Sequence, residues 1–159
     1  MNRYSSKPVS YTHLSAVAAV AGKQIKRTVL ELGGSDPFVV MPSAPLAATV
    51  EQAVKARVQN NGQSCIAAKR FIVHTAIYDE FEKLFVAAFR HLRMGDPLLP
   101  ETDIGPLAQA QTVETLERQV QAGIESGARV LVGGKRGPGP GFFFEPTVLV
   151  GIPTNGPLS

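Results

Sequence analysis

The hydrophobic positions of this chain change period several times, and each change marks an element. Leu46, Val50, Val54 and Val58 recur every four positions and predict a helix with one buried face. Ser43 precedes that run as a candidate N-cap, and Gly62 follows it as a stop. A second helical pattern, from about Ile77 to Leu92, turns Phe81, Leu84, Phe85, Ala88 and Leu92 inward, so its aromatics read as core. A third, from about Leu107 to Ser126, buries Val113, Leu116, Val120 and Ile124 and ends at Gly127. A shorter alanine-rich stretch, Ser15 to Ala21, predicts a helix closed by Gly22.

Strand-like runs alternate with these helices. Thr28 to Leu32 runs into Gly33-Gly34, and Phe38 to Met41 is stopped by Pro42. Arg70 to Val73, Ala128 to Val132 and Phe142 to Val150 complete the set, while Gly95 to Pro106 and Gly133 to Gly141 read as loops. The alternation predicts an α/β fold with a largely parallel sheet and flanking helices. No internal linker or repeat divides the chain.

Composition narrows the function classes. A chain of 159 residues that is 44% hydrophobic and 18% charged suits one folded domain, not a disordered tail. The net charge of +3 arises from scattered residues, without a basic stripe, so nucleic acid is not an expected partner. One cysteine excludes an internal disulfide and a Cys-rich zinc site; His13, His74 and His91 share no ligand spacing, so no metal is expected. No apolar run approaches the roughly 20 residues of a membrane span. The first 30 residues hold Arg3, Lys7, Lys23, Lys26 and Arg27 and no acid, which loosely suits a presequence, and Leu14 to Ala21 loosely suits a signal peptide. The same alanines read equally well as a short helix, and a cytoplasmic protein is the expectation.

The chemistry concentrates in two glycine-bearing turns. Cys65 lies in Asn60-Asn61-Gly62-Gln63-Ser64-Cys65, and Glu31 stands 34 positions earlier in Leu30-Glu31-Leu32-Gly33-Gly34. A thiolate attacks electrophilic carbon, and a carboxylate can take a proton from the thiol or from water. A backbone N–H following a helix end can stabilise the resulting oxyanion. Asn60, Asn61 and Gln63 are explained as well by helix capping and turn hydrogen bonds, Asn61 above all. Gly137-x-Gly139-x-Gly141 imitates part of a phosphate loop, but the prolines and strand-like sequence after it supply no helix N-terminus to face a phosphate.

Taken together, Leu30-Glu31-Leu32-Gly33-Gly34 with Pro37, and Gly62-Gln63-Ser64-Cys65 at that spacing, resemble the NAD(P)-dependent aldehyde dehydrogenase superfamily. Lys69-Arg70-Phe71, Tyr78-Asp79-Glu80-Phe81, Met94-Gly95-Asp96-Pro97, Ile104-Gly105-Pro106, Gly133-Gly134 and Glu145-Pro146-Thr147-Val148-Leu149 follow in the family's order. Ser35-Asp36-Pro37 and Ile66-Ala67-Ala68-Lys69-Arg70 are most similar to the succinate-semialdehyde branch. The resemblance implies Cys65 as nucleophile, Glu31 as the base that activates water, and cofactor contacts at Leu32 and Gly33. It also implies NAD or NADP as cofactor, a small aldehyde as substrate, and homo-oligomeric full-length relatives.

The resemblance further divides the chain. Residues 1–14 do not match, 15–28 correspond to the tail of a cofactor-binding domain, 29–153 to part of a catalytic domain, and 154–159 do not match. The Gly-Ser turn expected just before Ser15 is replaced by Val9-Ser10-Tyr11-Thr12-His13-Leu14, and a Glu-x-Phe-Gly-Pro motif is not reached. A fragment, with most of the cofactor site and the oligomerisation arm elsewhere, is therefore expected, and with it little activity from the chain alone. Two other readings compete: a cofactor-free cysteine hydrolase pairing Cys65 with His74 or His91, and a non-catalytic α/β fragment associating through uncovered apolar faces.

Overall fold

The computed structural model of the chain describes residues 9–158. In order these form α1 (Val9–Lys23), β1 (Pro37–Val40), α2 (Leu46–Val58), β2 (Arg70–Val73), α3 (Tyr78–Arg90), α4 (Ala110–Glu125), β3 (Arg129–Val132) and β4 (Val148–Val150). Strands β1 and β2 pair in parallel, Pro37 opposite Arg70 and Val40 opposite Val73. Parallel neighbours need a crossover, and α2 provides it, giving a βαβ unit. Strands β3 and β4 pair antiparallel, with an irregularity between Val130 and Val132. The α/β class is thus as expected, its parallel part being β1–β2.

Alternation within β1 and β2 decides which face is covered. Phe38, Val40, Phe71 and Val73 face the core formed by Val50 and Ala53 of α2 and Phe81, Phe85 and Phe89 of α3. Val39 and Ile72 point the other way and remain exposed. The phenylalanines form a continuous ladder, with ring centroids 5.6 Å apart for Phe38–Phe71, 4.8 Å for Phe71–Phe85 and 4.5 Å for Phe85–Phe89. Each such pair adds about 0.5–1.5 kcal/mol beyond burial itself. A second cluster joins Val113 and Val120 of α4 to Leu107 and Phe144.

Several expected details are corrected. Helix α1 runs through Gly22 to Lys23, and the residue that turns left-handed is Ile25, φ 54°. Lys26 N–H donates to Ala21 O and Ile25 N–H to Gly22 O, the paired bonds of a Schellman ending. Thr28 to Leu32 forms no strand, because among the described residues no strand lies beside it to take its hydrogen bonds. Ser43 does not cap α2; the N-cap position is Pro45. Leu84 and Ile124 face outward, since Val86 and Phe89 in α3 and Gly123 in α4 take the buried positions.

From Phe142 onward only Val148–Val150 is strand. The Gly133 to Gly141 stretch is a hairpin loop, as expected, tied by Gly137 N–H to Phe143 O and Glu145 N–H to Lys135 O. Arg136 grips Glu117 of α4 with two hydrogen bonds of 2.6 and 2.7 Å. Among the described residues, no helix N-terminus follows this loop. Residues 1–8, which include Arg3 and Lys7 and much of the segment 1–14 expected not to match, lie outside the described residues, as does Ser159.

Candidate active site

The site begins where α2 stops. After Val58 the chain enters a tight turn in which Asn60, Asn61 and Gly62 take φ of 50°, 54° and 74° in succession. Left-handed backbone costs an L-residue roughly 1–2 kcal/mol, least for asparagine and almost nothing for glycine. Gly62 is needed for a second reason: a Cβ there would collide with the Arg57 guanidinium. The turn reverses the chain so that Ala67 and Ala68 are buried beside α2, with Ala68 N–H donating to Ala56 O at 3.0 Å.

Side chains on both sides hold the loop. The Asn61 amide accepts from Gly105 N–H and donates to Pro106 O, both at 3.0 Å. Gln63 accepts from Ala108 N–H at 3.0 Å and donates to Asn60 O at 3.3 Å. The turn-bonding role expected of these amides is therefore present, and they also staple the loop to the 105–108 segment. Arg57 donates to Ala68 O at 3.2 Å and Gly62 O at 3.4 Å. Burial lowers its guanidinium from the ordinary value, and it remains a cation at working pH.

Lys69 reaches back over the same loop, donating to Ala67 O at 3.0 Å and to Ser64 O and Cys65 O at 3.4 Å. Burial lowers its ammonium pKa, the Arg57 charge adds to that, and Asp36 and Cys65 act in the opposite direction. Arg57 and Lys69 are the residues that sequence reasoning missed. Basic residues flanking a tight turn were visible, but nothing in their spacing shows that they fold back onto its carbonyls.

Cys65 sits at the outside of this turn, exposed and unoxidised. Among the described residues its N–H has no acceptor. The segment bearing Glu31 arrives from the other side. Gly34 lies so close that an added Cβ would stand 2.9 Å from Cys65 O. The following residues are clamped in place: Arg70 donates twice to Ser35 O, at 3.2 and 2.8 Å, and Lys69 N–H donates to Asp36 O at 3.2 Å.

Glu31 is exposed and makes no hydrogen bond or ion pair among the described residues. It stands three positions before Gly34, a reach of at most about 11 Å along the backbone. Leu32 is exposed, and an added Cβ at Gly33 would meet nothing within 4 Å. The structure thus brings the end of the Glu31 segment against Cys65 but makes no bond between the two functional groups.

His74 and His91 are engaged elsewhere. His74 accepts from Ala76 N–H at 3.1 Å, and the His91 ring lies 2.7 Å from Ala87 O in its own helix. No group of three or more His, Cys, Asp or Glu among the described residues could hold a metal. No helix among them is long and apolar enough to cross a membrane.

A model of the aldehyde dehydrogenase family matches residues 10–158. Over 137 residues the chain is 60% identical to an NADP(+) succinate-semialdehyde dehydrogenase of Mycobacterium leprae, covering 86% of this chain and 30% of that protein. The corresponding Mycobacterium tuberculosis protein is 58% identical over the same length, again with 86% and 30% covered. The chain therefore spans about 30% of the length of the curated relatives it matches. Among solved structures, succinate-semialdehyde dehydrogenase from Burkholderia pseudomallei superposes with a TM-score of 0.87 at 35% identity, over 94% of this chain and 31% of that one. A 3,6-anhydro-L-galactose dehydrogenase in complex with NAP gives 0.84 at 36% identity, over 91% and 31%. With the family's model matching nearly its whole length, the chain belongs to the aldehyde dehydrogenase family.

Proposed function

We propose that this chain carries the nucleophile and the water-activating base for oxidation of a small aldehyde, of the succinate-semialdehyde class, to its acid. The observation that carries this reading is the exposed Cys65 on a turn stapled from both sides, its N–H without a protein acceptor among the described residues, with the Glu31 segment ending against its carbonyl. The identity to succinate-semialdehyde dehydrogenases supports the substrate class.

Cys65 Sγ, as thiolate, forms a bond to the aldehyde carbon while the carbonyl π electrons move to oxygen. The Cys65 N–H stabilises that oxyanion. NAD(P)+ held beside Leu32 and Gly33 would supply the hydride acceptor, so that the thiohemiacetal oxyanion collapses to a thioester on Cys65; NADP is favoured by the names of the relatives. Glu31 then takes a proton from water as the oxygen attacks the thioester, and the C–S bond breaks to release the acid and the Cys65 thiolate. Exposed Leu32 and the open space beside Gly33 fit the approach of a nicotinamide, whereas the Gly137–Gly141 hairpin supplies no phosphate cradle. NADPH formation by the chain alone is therefore expected to be negligible. A cytoplasmic setting accords with a mechanism that needs a reduced thiol.

The nucleophile and base are tested without cofactor, using p-nitrophenyl acetate as acyl donor. Wild type should release one burst equivalent of p-nitrophenolate per chain, and Cys65→Ala none. Glu31→Gln should keep the burst and slow the steady state by roughly the 10²–10⁴-fold of a general base. Equal losses of burst and steady state in Glu31→Gln would overturn its assignment.

A second reading is favoured by a separate observation. Val39 and Ile72 on the outer face of β1–β2, and Val17 and Val20 on α1, are exposed apolar residues. We propose that the chain also self-associates through these uncovered apolar residues. A monomeric sedimentation profile with no binding of an apolar dye would dismiss it.

A further inference from the structure

We propose that Lys69 is a positioning residue for the oxyanion donors of Cys65: its ammonium gathers the carbonyls of Ser64 and Cys65 to one side of the turn and thereby turns the Cys65 and Ile66 N–H groups to the other. This rests on the reading of Cys65 as the nucleophile.

The inference follows from peptide geometry. A planar trans peptide sets its C=O and the next residue's N–H antiparallel. Lys69 Nζ lies 3.4 Å from both Ser64 O and Cys65 O, so the N–H groups of Cys65 and Ile66, which share those two peptide planes, point away from the ammonium. The third bond, 3.0 Å to Ala67 O, anchors the side chain in the turn. Neither the Cys65 nor the Ile66 N–H has a protein acceptor among the described residues.

Arg57 holds Gly62 O and Ala68 O from the α2 side. Two cations therefore gather five carbonyls of the turn, and they leave unpartnered N–H groups where a developing negative charge on a substrate oxygen would lie. A charge-assisted bond to a carbonyl also polarises its peptide, which makes the N–H at the other end a stronger donor. Lys69 touches no reacting atom in this scheme.

The test exploits the single thiol, which lets two reagents report on one atom. With p-nitrophenyl acetate, Sγ bonds to the acetyl carbon through an oxyanion, the ester C–O bond breaks, and p-nitrophenolate leaves. With iodoacetamide, Sγ bonds to the methylene carbon and iodide leaves, with no oxyanion formed. Both rates scale with the thiolate fraction, so their ratio isolates oxyanion stabilisation. The Cys65→Ala chain provides the blank.

Lys69→Met is expected to lower the acylation-to-alkylation ratio roughly tenfold, less than the 10²–10³ of deleting an oxyanion donor outright. Lys69→Arg, which keeps a cation that can reach the carbonyls, should retain most of the ratio. In wild type the ratio should fall as alkaline pH removes the Lys69 proton, whose loss is eased first by burial and then by Arg57, and opposed by Asp36 and Cys65. In Lys69→Arg it should stay level over the same range, and this comparison decides the matter if Lys69→Met does not fold.

A ratio unchanged in folded Lys69→Met, or lost equally in Lys69→Arg, overturns the role of Lys69 and leaves Cys65 as nucleophile intact. A wild-type ratio no higher than that of the urea-unfolded chain overturns both.

Discussion

The two halves of the site are held in different ways. The turn from Asn60 to Ala68 is stapled by the Asn61 and Gln63 amides to residues 105–108 and gripped at five carbonyls by Arg57 and Lys69. Residues 27–34, which carry Glu31, form no helix or strand and donate no backbone hydrogen bond among the described residues. Order returns at Ser35 and Asp36, where the β2 entrance clamps them. The contrast teaches that this chain's own contacts position Cys65 and reach only the end of the segment that carries Glu31.

The sharpest way to break that contrast is a matched pair of glycine substitutions. Gly62→Ala forces a side chain into φ 74° and against Arg57, and should destabilise the chain by about 2–4 kcal/mol in urea unfolding. Gly33→Ala has open space and should change stability by less than about 0.5 kcal/mol. Equal effects would mean that both halves are held alike.

A smaller loss is expected from Asn61→Ala, about 1–3 kcal/mol, because Gly105 N–H and Pro106 O each lose a partner. Its acylation burst at Cys65 should slow as well, whereas Glu31→Ala should leave both unfolding and the burst in place.

The hairpin clasp provides the smallest effect and an internal control. The bond from Arg136 holds the Glu117 carboxyl below its ordinary value of 4.5, and the exposed pair contributes stability above that value. The contribution is lost as pH falls through the lower folded value, since the protonated acid no longer pairs with the guanidinium. Thermal unfolding from pH 6 to pH 3 should show this loss in wild type and not in Glu117→Gln. Thiol reactivity of Cys65 should be unaltered by Glu117→Gln; a change would mean that the hairpin and the site are coupled.

Most helices and strands were legible because their periodicities are strong and local. Arg70 to Val73 emerged with the predicted bounds, and the faces of α2 and α3 agree except at Leu84. Predictions failed where a neighbour decides the outcome. Thr28 to Leu32 has a strand's composition, but composition supplies no partner for its backbone, and no strand lies beside it among the described residues. Gly22 has a cap's composition, but a helix of favourable alanines continues through it and turns at Ile25 instead.

By itself the sequence determined which atoms could do chemistry: one thiol, one carboxylate at a fixed spacing, and glycines where side chains would obstruct. Residue identity settles that much, because nucleophilicity, charge and the lack of a Cβ are properties of the monomer. Only the tertiary structure decided where Lys69 and Arg57 spend their charges, which way the peptides of the Cys65 turn face, and that Gly34 rests against Cys65 O. Gly34 and Cys65 stand far apart in sequence, and although Arg57 and Lys69 lie within 11 positions of the carbonyls they hold, which carbonyls they reach depends on how the turn folds. These relations arise when α2, α3, β1 and β2 pack around the phenylalanine ladder and bring the ends of the turn together.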